Sequence, residues 1–144
     1  MLETAEAALE AAAALAEAKG AKITLCRVPV VPGYLTVVPE TAGWIPEQME
    51  KSVAEATAYL AEKEDALRAR GLEVDTWVEY MLMGSVADGI LDAAEQQGCG
   101  LVVMSSHGRS GMSRWFFGSV ASRVLRGADR PVWVVRIGTK PAGD

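Results

Sequence analysis

The pattern of apolar and polar positions along the chain alternates between two periods. Residues 3–19 are rich in alanine and stop at Gly20, a residue that commonly ends helices. Apolar residues recur at the helical period over residues 47–70, which are followed by Gly71. Two further helices are predicted to begin after Ser85, as N-cap, and at Gly118-Ser119.

Short apolar runs rich in β-branched residues follow each predicted helix. They are too short for helices and predict buried strands at residues 23–28, 72–80, 101–104 and 132–137. Helices that alternate with strands indicate parallel strands joined by right-handed crossovers. The sequence therefore predicts a parallel α/β domain over residues 1–144, with a polar tail from residue 138.

A long connection over residues 29–46 contains four prolines and two glycines among apolar residues. Connections of this length are often functional or mobile. We interpret it as a loop that covers the sheet, with a lid or a partner surface as alternatives.

The stretch from residue 101 to residue 136 carries the candidate chemistry. A strand is predicted to lead into a polar loop at residues 105–111, and a helix follows from Gly118-Ser119. The amides at a helix start have no intrahelical partners and favour phosphate. Gly118 permits close approach of a ligand, Ser119 can cap the helix or bind a phosphate oxygen, and Arg109 and Arg114 add positive charge.

This stretch resembles the universal stress proteins. Their ATP-binding members carry a glycine, two residues, a second glycine, nine residues, and then Gly-Ser or Gly-Thr. Here Gly108, the nine residues 109–117 and Gly118-Ser119 match that pattern, whereas Ser105 holds the position of the first glycine. The wider run SSHGRSGMSRWFFGSVASRVLR also resembles the family.

The resemblance implies a flavodoxin- or Rossmann-like, three-layer α/β/α sandwich and a regulatory module that binds ATP, with Mg²⁺ only alongside the nucleotide. Gly108, Gly118, Ser119 and Val120 would contact the triphosphate and ribose, and Met104 would lie beside the adenosine. A Cβ at Ser105 would face the ribose and weaken binding. The candidate binding residues are Val28, Met104, Ser105, His107, Gly108, Gly118, Ser119 and Val120.

The resemblance also implies a first strand and an adenine-binding aspartate for which this sequence has no counterpart. Met1-Leu2 leads almost directly into the first helix, and Glu3 is a poor substitute for the aspartate. The absence of a central strand would leave its neighbours with unpaired backbone groups. Three explanations remain open: a shortened chain, which we favour, a strand borrowed from a partner, or a rearranged four-stranded sheet.

Charge and cysteine content limit the binding partners and the cellular compartment that we expect for this protein. The net charge of −5 comes from interspersed acidic and basic residues, without the basic stripe expected for nucleic acid or an anionic membrane. Cys26 and Cys99 do not form a disulfide framework, and we expect Cys26 to be a buried thiol. Because no apolar run reaches membrane-spanning length, we expect a cytoplasmic protein.

Several residues can be interpreted either as ordinary structural residues or as functional ones. His107 is the single histidine, and we interpret it as a loop residue bonded to backbone more readily than as a ligand. The serines of the loop lack a recognisable base, which argues against a nucleophile. The aromatic residues 115–117 fit either the core or an interface.

The last strand, residues 132–137, is apolar and is predicted to lie at a sheet edge. The family resemblance implies a homodimer through this strand. Two functions stay open: a nucleotide-binding regulatory module with at most slow ATP hydrolysis, and a structural member that acts through its dimer and partner surfaces. The Walker pattern of a phosphate-binding loop does not occur in the sequence.

Overall fold

The computed structural model describes residues 2–29, 44–79, 85–107 and 118–137. Helices and strands alternate in the predicted order, which is thereby confirmed. The elements are α1 (Leu2–Lys19), β1 (Ile23–Arg27), α2 (Trp44–Arg68), β2 (Val74–Val78), α3 (Val86–Gln96), β3 (Val102–His107), α4 (Ser119–Gly127) and β4 (Val132–Ile137).

The boundaries of several elements differ from the predicted ones, most clearly those of β3 and α2. The polar residues 105–107 were predicted to begin a loop, but they belong to β3, because each pairs with a residue of β4 and so has the backbone partners of a strand. Helix α2 begins at Trp44, since Pro46 falls in its first turn, where a missing N–H costs no hydrogen bond. The aromatic residues 115–117 and most of the long connection lie outside the described residues.

The strands form two parallel pairs. β1 pairs with β2 in the register Ile23↔Val74, and β3 pairs with β4 in the register Val102↔Val132. Across the described ranges no hydrogen-bonded ladder joins β1 to β3, so these residues do not form the rearranged four-stranded sheet considered above. Parallel strands between helices give the three-layer α/β sandwich that the sequence predicted.

The helices cover both faces of the strands. α1 packs against β3 and β4, α2 packs against β2 and β1, and α3 and α4 pack against each other. Small alanine side chains allow α1 to approach the strands closely. The main cluster of buried side chains joins α1, α2, β1 and β2, and contains Ala13, Ala16, Ile23, Leu25, Leu60, Leu67 and Val74.

Polar contacts attach α2 to its neighbours. Arg68 donates a hydrogen bond from Nη2 to the carbonyl oxygen of Val74 (2.8 Å), which ties the end of α2 to the start of β2. Glu64 and Arg68, four residues apart on α2, form an ion pair at 2.5 Å. Arg70 also reaches Glu10 and Glu17 of α1. These pairs are largely exposed, so each contributes little to stability.

One expectation about burial is wrong. Cys26, expected to be buried, is exposed, because it lies on β1 beside the space that separates β1 from β3. On α4, Leu125 is 41% exposed, whereas Val124 beside it is fully buried. The 3.6-residue period allows only one of two adjacent residues to face the strands fully.

Helix α3 starts with a capping box. The amide of Asp88 donates to the Ser85 hydroxyl (3.1 Å), and the amide of Ser85 donates to the Asp88 carboxylate (3.3 Å). These bonds satisfy amides that a helix start leaves free. The hydrogen bonds from Ser85 lower the pKa of Asp88 below its ordinary value. The Ser85 N-cap predicted from the sequence is confirmed.

We expect Ser85→Ala to lower the free energy of unfolding by about 1 kcal/mol, because the α3 cap is lost. Urea denaturation followed by circular dichroism measures this. Thr57→Ala is the matched control, since Thr57 Oγ1 bonds the Val53 carbonyl on the exposed surface of α2. It should change stability by less than about 0.5 kcal/mol. Equal effects of the two substitutions would contradict the assigned role of the cap.

Candidate functional site

The candidate site lies where the chain enters α4. Gly118 is the N-cap of this helix and has φ 79° and ψ 158°, a conformation that is open essentially to glycine alone. A Cβ added there would meet no atom within 4 Å among the described residues, so the space beside Gly118 is open. The carbonyl of Gly118 accepts the first helical hydrogen bond, from the Ser122 amide. The amides before Ser122 have no intrahelical acceptor and carry the positive end of the helix dipole.

Ser119 differs from its predicted role as a cap. It is the first residue of α4, follows the N-cap, and is exposed, and no side-chain hydrogen bond caps this helix. The reason is geometric: a capping hydroxyl must come from the N-cap residue, which here is glycine. The second expectation for Ser119, a hydroxyl available to a phosphate oxygen, is compatible with its exposure.

The other predicted residues occupy several positions near the carboxyl ends of the strands. Met104 and Ser105 of β3 line a cavity of about 340 Å³, and Cys26 of β1 lines it too. Val28 is buried just beyond β1, and Val120 is half-buried in the first turn of α4. None of Val28, Gly118, Ser119 and Val120 lines that cavity.

The remaining predictions cannot be placed in the site. His107 is the last residue of β3, and only its backbone belongs to the described part of the chain. Gly108, Arg109 and Arg114 also lie outside the described residues. The structure therefore brings Met104 and Ser105 together at one cavity and places Gly118, Ser119 and Val120 at a helix start outside it.

Two side chains of α2 that were not predicted from the sequence, Tyr59 and Lys63, also line this cavity. The hydroxyl of Tyr59 is buried and has no hydrogen-bond partner in the described part of the chain. The guanidinium of Arg27 lies 4.8 Å from the centre of the Tyr59 ring, and Nζ of Lys63 lies 5.4 Å from it. Both distances are typical of cation–π contacts. The sequence feature that could have indicated this group is a tyrosine, Tyr59, directly before an apolar position of the helical pattern, Leu60.

Ser106 also has an unsatisfied hydroxyl. Its side chain is 3% exposed, and Oγ has no partner among the described residues. A buried hydroxyl normally makes a hydrogen bond, so Ser106 Oγ can bond a polar group that is not among the described residues. The described residues contain no group of three or more histidine, cysteine, aspartate or glutamate side chains placed to hold a metal ion.

A comparison with protein families gives a match over residues 2–136 to the universal stress protein family. This chain belongs to that family. Two members from Methanocaldococcus jannaschii match in sequence: one is 43% identical over 56 residues, and the other is 29% identical over 58 residues. These matches cover 39% and 40% of this chain but only 33% and 36% of the relatives, about one third of their length.

Solved structures support the family fold along most of the chain. The hypothetical protein MJ0577 superimposes with a TM-score of 0.76 at 25% identity, covering 96% of this chain and 91% of that one. The universal stress protein UspA from Lactobacillus plantarum gives a TM-score of 0.74 at 22% identity, covering 91% and 88%. A universal stress protein in complex with cAMP gives 0.62 at 19% identity, covering 89% and 86%.

No helix in the part of the chain that the structure describes is both long and apolar enough to span a bilayer.

Both cysteines are free thiols, in agreement with the expectation that they do not form a disulfide framework. They line the cavity that also contains Met104 and Ser105. Although Cys26 is exposed, the protein atoms packed around its thiol displace part of the surrounding water and raise its pKa to about 11, and the charges of Glu79 and Cys99 add to this effect.

We expect Cys26 to react slowly with iodoacetamide at neutral pH, because the thiolate is the reactive form and is disfavoured in the folded protein. The rate should rise steeply between pH 9.0, the ordinary thiol value, and about 11. Mass spectrometry of peptides after timed alkylation separates Cys26 from Cys99. The urea-unfolded protein is the control and should show an ordinary thiol profile at Cys26; an identical profile in the folded protein would contradict the shift.

Proposed function

We propose that this family member is a regulatory module that binds an adenine nucleotide, ATP, with its phosphates at the start of α4. The observation that carries the proposal is the geometry of Gly118: a positive φ, no described atom within 4 Å of an added Cβ, and amides without an intrahelical acceptor in the turn that follows. A polyphosphate has the charge and the acceptor oxygens that such a turn favours. Ser119 adds an exposed hydroxyl at the same place.

The family supports an adenine nucleotide as the ligand. Among the structural neighbours, one is a universal stress protein in complex with cAMP, and another is the Archaeoglobus fulgidus protein in complex with dAMP. In this chain Met104 and Ser105 lie in the middle of β3 and line a cavity of about 340 Å³, and ligands of open α/β sheets bind outside the carboxyl ends of the strands. An apolar thioether beside the base suits a nucleoside, whereas the Cβ of Ser105 beside the ribose would lower the affinity.

We propose binding rather than rapid turnover. The sequence has no Walker pattern to hold the triphosphate and Mg²⁺ together for phosphoryl transfer. Asp88, a carboxylate that could be considered for metal binding, is engaged by Ser85 in the α3 cap. Mg²⁺ would then accompany the nucleotide and not occupy a protein site of its own.

We expect Gly118→Ala to reduce ATP affinity at least tenfold. Alanine at a positive φ costs roughly 1–2 kcal/mol, so the turn would change shape and its amides would no longer point at one anion. Titration calorimetry with ATP and Mg²⁺ measures the affinity. No heat and no melting shift with the unsubstituted protein would remove the case for nucleotide binding and favour the structural alternative.

Gly71→Ala is the matched control for this experiment. Gly71 also has a positive φ, 85°, and a Cβ there meets nothing within 4 Å, but it follows α2. The two substitutions should cost similar stability, whereas only Gly118→Ala should affect ATP. If Gly71→Ala weakened binding equally, the loss would reflect general destabilisation and not the α4 turn.

We also propose a homodimer through β4. Within the described residues β4 pairs only with β3, and Trp133 on this strand is 41% exposed. An apolar strand with a free edge can pair with a second copy about a two-fold axis. This proposal is independent of nucleotide binding and would also serve a member that acts through its surfaces.

Val134→Pro tests the β4 dimer. The amide of Val102 donates to Pro131, which places Pro131 and Trp133 toward β3 and Val134 toward the free edge. Proline at residue 134 removes an edge donor and spares the β3 ladder. We expect light scattering to give a dimer for the parent and a monomer for Val134→Pro, with Val134→Thr still dimeric. A monomeric parent at micromolar concentration would contradict the proposal.

A further inference from the structure

Helices α3 and α4 lie side by side and run in the same direction. A Cβ at Gly127, the last residue of α4, would lie 2.9 Å from Leu91 Cδ1 of α3, so the two helices touch there. Just beyond α4, Arg130 donates from Nη1 to the carbonyl oxygen of Ala94 in α3, at 2.8 Å. Because these two contacts advance together along both parts of the chain, they fix the register of the two helices.

One turn before the contact of Leu91 with Gly127 lie Asp88 of α3 and Arg123 of α4. The register therefore brings these two residues to the same level of the paired helices. Their electrostatics agree with this, since the hydrogen bonds from Ser85 lower the pKa of Asp88 and the charge of Arg123 adds to the effect. Ser85 Oγ donates to the Asp88 carboxylate at 2.8 Å, so this negative charge is held in place.

Arg123 is placed to act at the start of α4. It follows Ser119 by one turn, so the two residues share a face of the helix, and both are exposed. The side chains of a helix lean toward its N-terminus. Four residues span about 6 Å of helix axis, a length that an extended arginine side chain covers. The guanidinium of Arg123 can therefore reach the level of the amides that follow Gly118.

The buried hydroxyl of Ser106 is a second polar group at this end of α4. Val103 lines a cavity of about 520 Å³ together with Leu9 and Ala16 of α1, so it faces α1. Since α1 and α4 both pack against β3 and alternate strand residues face opposite sides, Ser106 lies on the face that α4 covers. It is 3% exposed, precedes the last residue of β3, and has no partner for Oγ among the described residues. An oxygen held at the start of α4 would accept from this hydroxyl.

A polyphosphate requires more positive charge than the start of α4 supplies. The end of a helix carries about half an elementary charge, whereas a triphosphate carries several negative charges. Asp88, in the first turn of the neighbouring helix, adds a further negative charge nearby. An arginine counters both, because its guanidinium is always protonated and its planar fork of donors fits phosphate oxygens.

We propose that Arg123 binds the outer phosphates of a polyphosphate held at the start of α4, so that the site selects ATP over AMP. This role rests on the proposed nucleotide function and defines its specificity. The amides that follow Gly118 hold one phosphate group, and Arg123 adds a bond and a charge that a longer phosphate chain reaches. The single phosphate of AMP is bound by the amides without Arg123.

Arg123→Gln tests this role through the ratio of two affinities. Calorimetry measures the binding of ATP and of AMP at one ionic strength with Mg²⁺ present. We expect the affinity for ATP to fall about fivefold or more, the effect of one charge-assisted bond, and the affinity for AMP to change less than about twofold. An equal loss for both nucleotides, or an unchanged affinity for ATP, would overturn the assignment.

Arg126→Gln is the matched control on the protein. Arg126 is also exposed on α4, and its substitution removes the same charge, but it lies nearly one turn further from the start of the helix. The ratio of the two affinities should stay within about twofold of the parent value. A change as large as that in Arg123→Gln would mean that the total charge of α4 matters and not the position of Arg123, which contradicts the proposal.

Salt dependence separates charge from packing. Charge contacts weaken as salt screens them, so ATP binding to the parent should weaken more steeply with added salt than ATP binding to Arg123→Gln. An identical dependence in the two proteins would show that Arg123 acts through packing, which also overturns the assignment.

Inorganic anions separate the role of Arg123 from the nucleotide function. NMR follows the amides of Ser119, Val120 and Ala121 during titration with sodium tripolyphosphate and with orthophosphate. We expect the parent to prefer tripolyphosphate, and Arg123→Gln to reduce this preference about fivefold. If neither ATP nor AMP binds, the nucleotide function is wrong and this titration still decides the role of Arg123. Equal tripolyphosphate binding by the parent and Arg123→Gln overturns that role alone, and unshifted amides with every anion overturn both.

Discussion

The structure depends on one constraint: every buried backbone N–H and C=O must find a hydrogen-bond partner. The pairs β1–β2 and β3–β4 meet it along one side of each strand, and the helices meet it internally. Where the elements meet, side chains bond backbone groups that the helices and strands leave without a partner. Arg130 donates from Nη1 to the carbonyls of Ala94 and Cys99, both at 2.8 Å, and so joins the end of α3 and the turn before β3 to the approach to β4. A positive side chain suits the carbonyls that a helix end leaves free.

The proposed ligand follows from a place where this constraint is not met within the helix. The amides that follow Gly118 have no intrahelical acceptor and lie at the positive end of α4, so their complement is an anion.

β3 carries two residues of the proposed nucleotide site. Met104 and Ser105, in the middle of this strand, line the cavity beside which we propose the nucleoside to lie. Tyr59 and Lys63 of α2 border the same cavity, and Arg27 lies against the Tyr59 ring. β4 supports this strand through a parallel ladder that runs from Val102 to His107.

Local sequence determined the elements, because periodicity, caps and helix-ending glycines act within a few residues. The alanine-rich run before Gly20, the Ser85 cap and the apolar run at β4 sufficed for α1, α3 and β4, and the motif with Gly118-Ser119 sufficed for the family. Tertiary structure alone decided which residues extend a strand and which lie open. Ser105 and Ser106 read as loop but are strand because β4 supplies their partners, and Cys26 reads as buried but borders the cavity. The contribution of Tyr59 was also decided there, since a buried hydroxyl and two nearby cations arise from residues far apart in the chain. Strand pairing and cavities depend on contacts between distant residues, which no local pattern of side chains encodes.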